Sequence, residues 1–242
     1  MKISVIGCGY LGAVHAAAMA DLGHEVVGID VDEDKITQLQ SGKAPFFEPG
    51  LPEVLASALA SGRLRFTTDI AQAAGSEVHF SAVGTPQSRD SQAADLSYVD
   101  AAVLALAPHL SAGDLVVGKS TVPVGTAARL AEVIAAHAPE AMLAWNPEFL
   151  REGFAVRDTI DPDRLVYGVA DDRATKMLDQ VYAQTVSKGT PRVVTDFATA
   201  ELVKVAANAF LATKISFINA MAEIAEVTGA DVTQLADAIG HD

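Results

Sequence analysis

The first twelve residues constrain the fold of this chain more than any other segment. A short apolar run, Ile3–Ile6, leads into Gly7-Cys8-Gly9-Tyr10-Leu11-Gly12, and an alanine-rich segment follows. In such a loop the first glycine permits the tight turn, the second lets a phosphate approach the backbone, and the third lets the helix pack closely on the strand. The N-terminus of the helix then offers unpaired N–H groups to a pyrophosphate. The pattern therefore predicts a strand–loop–helix unit that binds a dinucleotide.

An acidic residue stands where the ribose of a dinucleotide would lie. The second apolar run, Glu25–Ile29, ends directly at Asp30, about twenty residues after the glycine loop, as the dinucleotide fingerprint requires. A carboxylate at this position accepts hydrogen bonds from the ribose hydroxyls and repels a 2′-phosphate, which favours NAD over NADP. Cys8 lies inside the loop, and we expect it to act as a small spacer rather than as a nucleophile.

Short apolar strands alternate with alanine-rich helical segments along most of the chain. The predicted strands are Ile3–Ile6, Glu25–Ile29, Val78–Val83, Asp114–Lys119, Ala141–Trp145, Arg164–Tyr167 and Arg192–Thr195. The predicted helices are Ala13–Leu22, Asp34–Ser41, Leu51–Ser61, Tyr98–Ala107 and Thr126–His137. Buried strands separated by helices imply a parallel sheet that is covered on both faces. We therefore expect a Rossmann-type α/β fold with a doubly wound, mainly parallel sheet.

A different pattern begins after this alternation. The stretch Thr199–Val227 contains neither proline nor glycine, and Gly229 follows it. It predicts one unusually long connecting helix, after which Asp231–Ile239 begins another helix.

Composition excludes several classes of partner. Lys and Arg number 17 and Asp and Glu number 31, which gives a net charge of −14. A chain this acidic is a poor candidate for binding nucleic acid or an anionic membrane surface. No uninterrupted apolar run reaches the roughly 18 residues of a membrane span, and we expect no signal peptide, because only a short apolar run precedes the glycine loop. The single cysteine and the scattered histidines predict no metal site. We expect a soluble, cytoplasmic protein.

Two further pattern matches are rejected. The segment Gly113–Ser120 fits the P-loop expression Gly-x-x-x-x-Gly-Lys-Ser, but its middle residues form an apolar run typical of a strand, not an anion-cradling loop. The segment Asp30–Asp34 resembles the start of a calcium loop, but Lys35 stands where glycine is needed and Ser41 where a bidentate glutamate is needed.

Several longer blocks occur in a recognisable order. They are Lys43–Leu51 (KAPFFEPGL), Val83–Pro86 (VGTP), Ala94–Val99 (ADLSYV), Lys119–Thr126 (KSTVPVGT), Asn146–Gly153 (NPEFLREG), Asp161–Arg164 (DPDR) and Glu201–Ile215 (ELVKVAANAFLATKI). Together with the glycine loop, they closely resemble the UDP-glucose dehydrogenases within the wider UDP-glucose/GDP-mannose dehydrogenase family. The resemblance covers the whole chain, and the glycine loop is the least specific of its motifs.

The resemblance implies an activity and a set of roles. Family members oxidise the C6 alcohol of a nucleotide sugar twice, to the carboxylate, with two NAD⁺ and a cysteine-bound intermediate that is then hydrolysed. Carried over by motif, the residues that hold the adenosine and pyrophosphate of NAD are Gly7, Gly9, Tyr10, Leu11, Gly12, Asp30 and Lys35. Thr85, Thr121 and Glu152 lie along the rest of NAD in this scheme.

The same comparison assigns the substrate side of the site. Glu148 acts as the acid/base or water-positioning group, and Thr121 is counted with the catalytic residues. Phe149, Leu150 and Arg151 line the nucleotide-sugar site, while Lys204 and Asn208 lie over the reacting oxygen. The spacing of the last pair agrees with this role, because residues four apart on a helix share one face. A cation and an amide that converge on one point can stabilise a developing alkoxide.

The nucleophilic cysteine that the family carries, in a glycine-rich segment, does not occur in these 242 residues. We therefore expect residues 1–198 to form the NAD-binding domain and residues 199–242 to form the connecting helix and the start of a central dimerisation region. The C-terminal UDP-binding domain is expected to be missing. Such a truncated chain would bind NAD without completing the oxidation, whereas the full-length protein is expected to be a homodimer.

Three alternatives stay open at this point. UDP-glucose is the preferred substrate, but GDP-mannose or another nucleotide sugar is the runner-up, because most base-reading residues belong to the missing half. A natural NAD-binding module without catalysis is an alternative of another class. A 3-hydroxyacid or 6-phosphogluconate-type dehydrogenase ranks low, because it is not expected to carry the blocks Ser120–Pro123 and Asn146–Glu152.

Overall fold

The computed structural model describes residues 1–241. The strands of this part of the chain are β1 (Lys2–Ile6), β2 (Glu25–Ile29), β3 (Leu64–Thr67), β4 (Val78–Ser81), β5 (Leu115–Gly118), β6 (Met142–Trp145), β7 (Leu165–Val169) and β8 (Arg192–Thr195). The helices are α1 (Tyr10–Asp21), α2 (Glu33–Gln40), α3 (Leu51–Ala60), α4 (Ser97–Leu106), α5 (Thr126–His137), α6 (Ala155–Ile160), α7 (Asp172–Val181), α8 (Ala183–Ser187), α9 (Phe197–Thr228) and α10 (Val232–Ile239).

The strands form one eight-stranded sheet in the order β3-β2-β1-β4-β5-β6-β7-β8. Every neighbouring pair is parallel except β6 and β7, which run antiparallel. This confirms the predicted Rossmann-type, doubly wound and mainly parallel sheet. The direction in which the sheet grows reverses between β1 and β4, and ligands of such sheets bind outside the carboxyl ends of the strands at that switch point.

Close packing of helices and strands depends on small residues. Helix α1 lies against the sheet with most of its residues buried, because five of its twelve residues are alanine. In β5, a Cβ atom added at Gly118 would lie 2.1 Å from the Trp145 ring of β6. The glycine therefore makes room for the largest fully buried side chain of the core.

The structure corrects several predicted bounds and adds elements. Helix α1 begins at Tyr10 rather than at Ala13, so the glycine loop passes directly into the helix. The prediction lacked β3, whose four residues alternate between buried and more exposed positions. It also lacked the short helices α6, α7 and α8. The strand predicted within Gly113–Ser120 is confirmed as β5, so that segment has no P-loop geometry.

The chain divides into two compact units, Met1–Leu202 and the residues from Val203 onward. Helix α9 runs from the first unit into the second, and α10 follows it. By length and composition, α9 alone among the helices of the described chain could cross a membrane, although no uninterrupted apolar run in the sequence predicted this. A single such helix is weak evidence for a span, because the core helix of a soluble protein meets the same test.

Candidate functional site

The glycine loop has the shape that the sequence predicts. Gly7 has φ +87°, and a Cβ atom there would lie 2.9 Å from the backbone of Val83. At Gly12 a Cβ atom would lie 1.7 Å from the carbonyl oxygen of Gly7, so only glycine lets α1 approach the loop. At Gly9 a Cβ atom would meet nothing within 4 Å. The loop is thus closed on the protein side and open at Gly9, where a ligand can approach the backbone.

The side chain of Asp30 is held firmly at the end of β2. Its Oδ2 accepts hydrogen bonds from the Cys8 N–H at 2.7 Å and from Lys35 Nζ at 2.9 Å. Its Oδ1 accepts one from the Asp32 N–H at 3.1 Å. An ionised carboxylate can accept about four hydrogen bonds, so capacity for a ribose hydroxyl is left on this side chain. The structure therefore brings together Asp30, Lys35 and the glycine loop.

Cys8 has the environment of a spacer. Its side chain is fully buried, and burial, together with the nearby Asp30 carboxylate, raises the pKa of the Cys8 thiol well above its usual range. Because the thiolate is the reactive form of cysteine, this residue is inert as a nucleophile.

Two loops at the carboxyl ends of neighbouring strands are joined beside the glycine loop. Thr85, after β4, donates its Oγ1–H to the carbonyl oxygen of Thr121, after β5, at 2.8 Å. Ser120 Oγ donates to the carbonyl oxygen of Val83 at 2.6 Å. Both threonines are partly buried. Thr85 and Thr121, which the resemblance assigns to NAD, therefore contact each other next to the switch point of the sheet.

The loop after β6 begins with a buried polar cluster. Asn146 Oδ1 accepts hydrogen bonds from Lys119 Nζ at 3.0 Å and from Tyr182 Oη at 2.7 Å. Its Nδ2 donates to the carbonyl oxygen of Val166 at 3.0 Å. The Lys119 ammonium also lies 5.6 Å from the centre of the Phe80 ring. Sequence reasoning gave Lys119 and Asn146 no role, yet they anchor the start of this loop.

The candidate substrate residues follow directly on this anchor. Glu148 Oε2 accepts a hydrogen bond from the Leu150 N–H at 2.6 Å, which bends the loop back on itself. The Arg164 guanidinium lies over the Phe149 ring, with the Cζ atom 3.9 Å from the centre of the ring. Glu148, Phe149 and Leu150 are partly buried. They line a cavity together with Lys119 and Arg164.

Arg151 and Glu152 lie at the exposed end of the same loop. The Arg151 guanidinium forms a two-pronged ion pair with Asp158 of α6, at 2.9 Å and 2.7 Å. The hydrogen bonds and charge of Arg151 lower the pKa of Asp158, although burial opposes this. The resemblance assigns Arg151 to substrate, and the structure adds a partner that fixes its backbone and its side chain.

The first turns of α9 contact the loop that leads into α5. Glu201 is buried, and its carboxylate accepts hydrogen bonds from the backbone N–H groups of Gly125 and Ala127, both at 2.7 Å. It caps α5, whose own N-cap residue is a glycine without a side chain. Lys204 and Asn208 belong to the second unit and lie four residues apart on α9; Lys204 is buried and Asn208 is exposed.

One polar network resembles a catalytic triad without being one. Ser4 Oγ lies 2.8 Å from His79 Nδ1, and His79 Nε2 lies 3.4 Å from Asp114 Oδ2. Ser4 and His79 are fully buried within β1 and β4. A nucleophile must be accessible to its substrate, so this network satisfies polar atoms inside the sheet instead.

Comparison with known proteins identifies the family of this chain. Residues 1–186 match the profile of the UDP-glucose/GDP-mannose dehydrogenase family, NAD binding domain, and residues 198–242 match the profile of its central domain. A UDP-glucose 6-dehydrogenase of Rhizobium meliloti (strain 1021) is 49% identical over 100% of this chain and 56% of its own length. UDP-glucose 6-dehydrogenase TuaD of Bacillus subtilis (strain 168) is 43% identical, over 100% of this chain and 52% of its own length.

Two solved structures extend the comparison. A UDP-glucose dehydrogenase from Pyrobaculum islandicum superposes with a TM-score of 0.93 at 43% identity, over 100% of this chain and 56% of that one. A GDP-mannose dehydrogenase from Pseudomonas aeruginosa also superposes with a TM-score of 0.93. Its sequence is 33% identical, and the match covers 100% of this chain and 57% of that one. The chain thus spans about half the length of the curated relatives it matches. It belongs to the UDP-glucose/GDP-mannose dehydrogenase family, an oxidoreductase family, and its N-terminal part is the NAD-binding domain.

Proposed function

We propose that this chain is the cofactor-binding part of an NAD-dependent enzyme that oxidises UDP-glucose to UDP-glucuronate in two steps. The observation that carries the proposal is the preformed cradle made by the open backbone at Gly9 and the carboxylate of Asp30. The names of the relatives support the choice of substrate.

The cradle fits NAD in shape and charge. The backbone around Gly9 offers open space for the pyrophosphate at the N-terminus of α1. Asp30, oriented by Cys8 and Lys35, accepts hydrogen bonds from the adenine ribose, while Thr85 and Thr121 line the path toward the nicotinamide. When bound there, NAD supplies the hydride acceptor of the oxidation. The protein residues bind and orient it.

The substrate side is proposed to use two groups of residues. Phe149, Leu150 and Arg151 bind the nucleotide sugar, and their loop is held in shape by the backbone hydrogen bond to Glu148 and by the ion pair with Asp158. Glu148 itself transfers a proton or positions water during hydrolysis, because a carboxylate in a partly buried loop can do either. Glu152, at the exposed end of the loop, is assigned to the cofactor.

Lys204 and Asn208 are proposed to stabilise the alkoxide that develops on the substrate. Their spacing of four residues on α9 puts an ammonium and an amide N–H on one helix face. Donors placed in advance where charge develops give the largest contribution to many catalysed steps.

We further propose that the 242 residues alone do not complete the two-step oxidation. Their only cysteine, Cys8, is buried in the cofactor loop with a raised pKa, so the nucleophile must come from elsewhere in the full-length protein. The full-length protein is proposed to act as a cytoplasmic homodimer. GDP-mannose stays the second candidate substrate, because the GDP-mannose dehydrogenase superposes as well as the UDP-glucose dehydrogenase does.

Extending the chain with whatever its coding sequence encodes after Asp242 provides the test. NADH formation is followed with UDP-glucose and, separately, with GDP-mannose, for the extended protein, its Glu148→Gln variant and the 242-residue chain. We expect two NADH per UDP-glucose from the extended protein, a large loss of kcat in the variant and no turnover by the short chain. NADH formation by the 242-residue chain at the rate of the extended protein would refute the proposal that these residues alone do not complete the oxidation.

A further inference from the structure

A single buried carboxylate connects the cofactor loop to the loop that follows β6. Glu48 is 2% exposed and lies between α2 and α3. Its Oε2 accepts hydrogen bonds from Tyr10 Oη at 2.5 Å and from the Gly153 N–H at 2.9 Å, and its Oε1 accepts one from the Ala155 N–H at 2.7 Å. The side chain thus joins three segments that are distant in sequence.

The charge state of Glu48 suits this role. Burial by itself raises the pKa of Glu48, but the hydrogen bonds from Tyr10, Gly153 and Ala155 outweigh it and hold the pKa below its usual range. The side chain is therefore ionised at neutral pH and can only accept hydrogen bonds. Each of its partners is a donor, and bonds to a charged acceptor are stronger than bonds between neutral groups.

At one end of this connection lies the cofactor loop. Tyr10 is the first residue of α1 and follows Gly9, the open position where a phosphate can approach. Its ring packs on Phe46 with the ring centres 5.0 Å apart. Tyr10 therefore lies between the open position at Gly9 and the segment that carries Phe46 and Glu48, and it contacts both of these side chains.

At the other end lies the last part of the loop after β6. Gly153 and Ala155 come directly after Arg151 and Glu152, which the proposed function assigns to substrate and cofactor. Asn146 anchors the start of this loop, and the Glu48 carboxylate anchors its end. A change in the position of Glu48 would therefore shift the loop relative to its fixed start.

We propose that Glu48 is a positioning residue that couples the two loops, so that a dinucleotide bound beside Tyr10 orders the segment Arg151–Ala155. This inference rests on the proposed function, since it takes the two loops as the cofactor and substrate sites. Coupling between binding sites is reciprocal. A nucleotide sugar bound to the loop after β6 would therefore also tighten the binding of the dinucleotide.

Amide hydrogen exchange of the 242-residue chain, resolved by residue with NMR, tests the coupling. NADH serves as the probe, and its Kd is measured in parallel by the change in its fluorescence. For the wild-type chain we expect saturating NADH to slow exchange at the Gly153 and Ala155 amides by about fivefold, the lower end of typical coupling. In Tyr10→Phe, which keeps the ring and removes the hydroxyl, NADH is added to saturation according to the variant's own Kd, and this slowing should be lost.

Two further variants separate coupling from general stability. Glu48→Gln keeps the size of the side chain but loses its charge, and we expect it to lose the slowing as well. Tyr98→Phe removes the hydroxyl of an exposed tyrosine on α4 and should behave as the wild-type chain does. An absence of slowing in the wild-type chain refutes the coupling even where a variant fails to fold.

The outcomes distinguish the two proposals. If NADH does not bind the wild-type chain, the proposed function fails and the coupling fails with it. If NADH binds but leaves exchange at Gly153 and Ala155 unchanged, the coupling is wrong and the cofactor assignment stands. Equal slowing in the wild-type chain and in Tyr10→Phe would likewise show that the Tyr10–Glu48 hydrogen bond transmits nothing.

Discussion

Glu201 Oε1 accepts a hydrogen bond from the Ala127 N–H at 2.7 Å, although the two residues lie 74 positions apart in the chain. Through this contact the beginning of α9 caps α5 and holds the end of the loop that carries Thr121. A charged acceptor at a helix N-terminus also interacts favourably with the helix dipole. This single side chain therefore ties the loop of a predicted cofactor residue to the first turns of α9.

Replacing Glu201 with glutamine should destabilise the chain. A glutamine amide has one acceptor oxygen where the carboxylate has two, so its NH₂ group would face an N–H of the α5 terminus. We expect the free energy of unfolding to fall by about 1–3 kcal/mol. Urea unfolding followed by circular dichroism measures the change. Glu223→Gln, at an exposed position on the same helix, is the matched control and should stay within about 0.5 kcal/mol of wild type.

Asp30→Asn should weaken the binding of NADH. The variant keeps the shape of the side chain but turns one oxygen into a donor, which then faces the donors Cys8 N–H and Lys35 Nζ. We expect the Kd for NADH to rise about tenfold, equivalent to about 1.4 kcal/mol, and the preference for NADH over NADPH to shrink. Fluorescence titration with both dinucleotides measures this. An unchanged preference in Asp30→Asn, compared with the exposed control Asp32→Asn, would contradict the assignment.

Ser4→Ala should lower stability without affecting the cofactor. The change leaves His79 Nδ1 buried without its partner inside the sheet. An orphaned buried polar atom costs about 1–3 kcal/mol, so thermal unfolding should shift down while the Kd for NADH stays at the wild-type value. Ser57→Ala, an exposed change on α3, serves as the control. A Ser4→Ala variant as stable as Ser57→Ala would show that the network contributes little.

Acid should weaken the ion pair between Arg151 and Asp158. The pKa of Asp158 is lowered in the folded chain, and an unfolded aspartate titrates near pH 3.9. The stabilisation is therefore fully present above about pH 4 and is lost as the pH falls through the folded-state pKa. In Asp158→Asn, the decline of stability below about pH 4 should be shallower than in the wild-type chain. Urea unfolding at a series of pH values measures this, and exposed Asp90→Asn should leave the slope unchanged.

The apolar surface of α9 should drive self-association of the chain. Phe210 and Phe217 are 63% and 52% exposed, and they lie seven residues apart on one face of the helix. Exposed apolar surface of this kind typically marks an interface between proteins. We expect sedimentation equilibrium to detect a dimer that Phe210→Glu weakens and that Glu226→Gln leaves intact. A wild-type chain that is monomeric at every concentration would overturn the expectation.

Much of the architecture could be predicted from local sequence patterns. The Gly7–Gly12 loop and Asp30 specify a dinucleotide cradle because glycine geometry and strand ends are local properties. The alternation of apolar strands with helices gave the sheet, and the absence of proline and glycine predicted α9. The strand β3 was missed because four residues with two buried side chains carry too little periodicity. The antiparallel pairing of β6 with β7 also has no local signal.

Contacts between distant residues required the tertiary structure. The sequence by itself determined the cradle, the order of the strands along the chain and the residue types near the site. Only the fold decided that Glu48 would meet Tyr10 and Ala155, that Lys119 would anchor Asn146, and that Glu201 would cap α5. Each of these contacts pairs a polar group with a donor or acceptor supplied by another segment. A buried polar group must find such a partner, but its sequence neighbours do not reveal which one the fold brings to it.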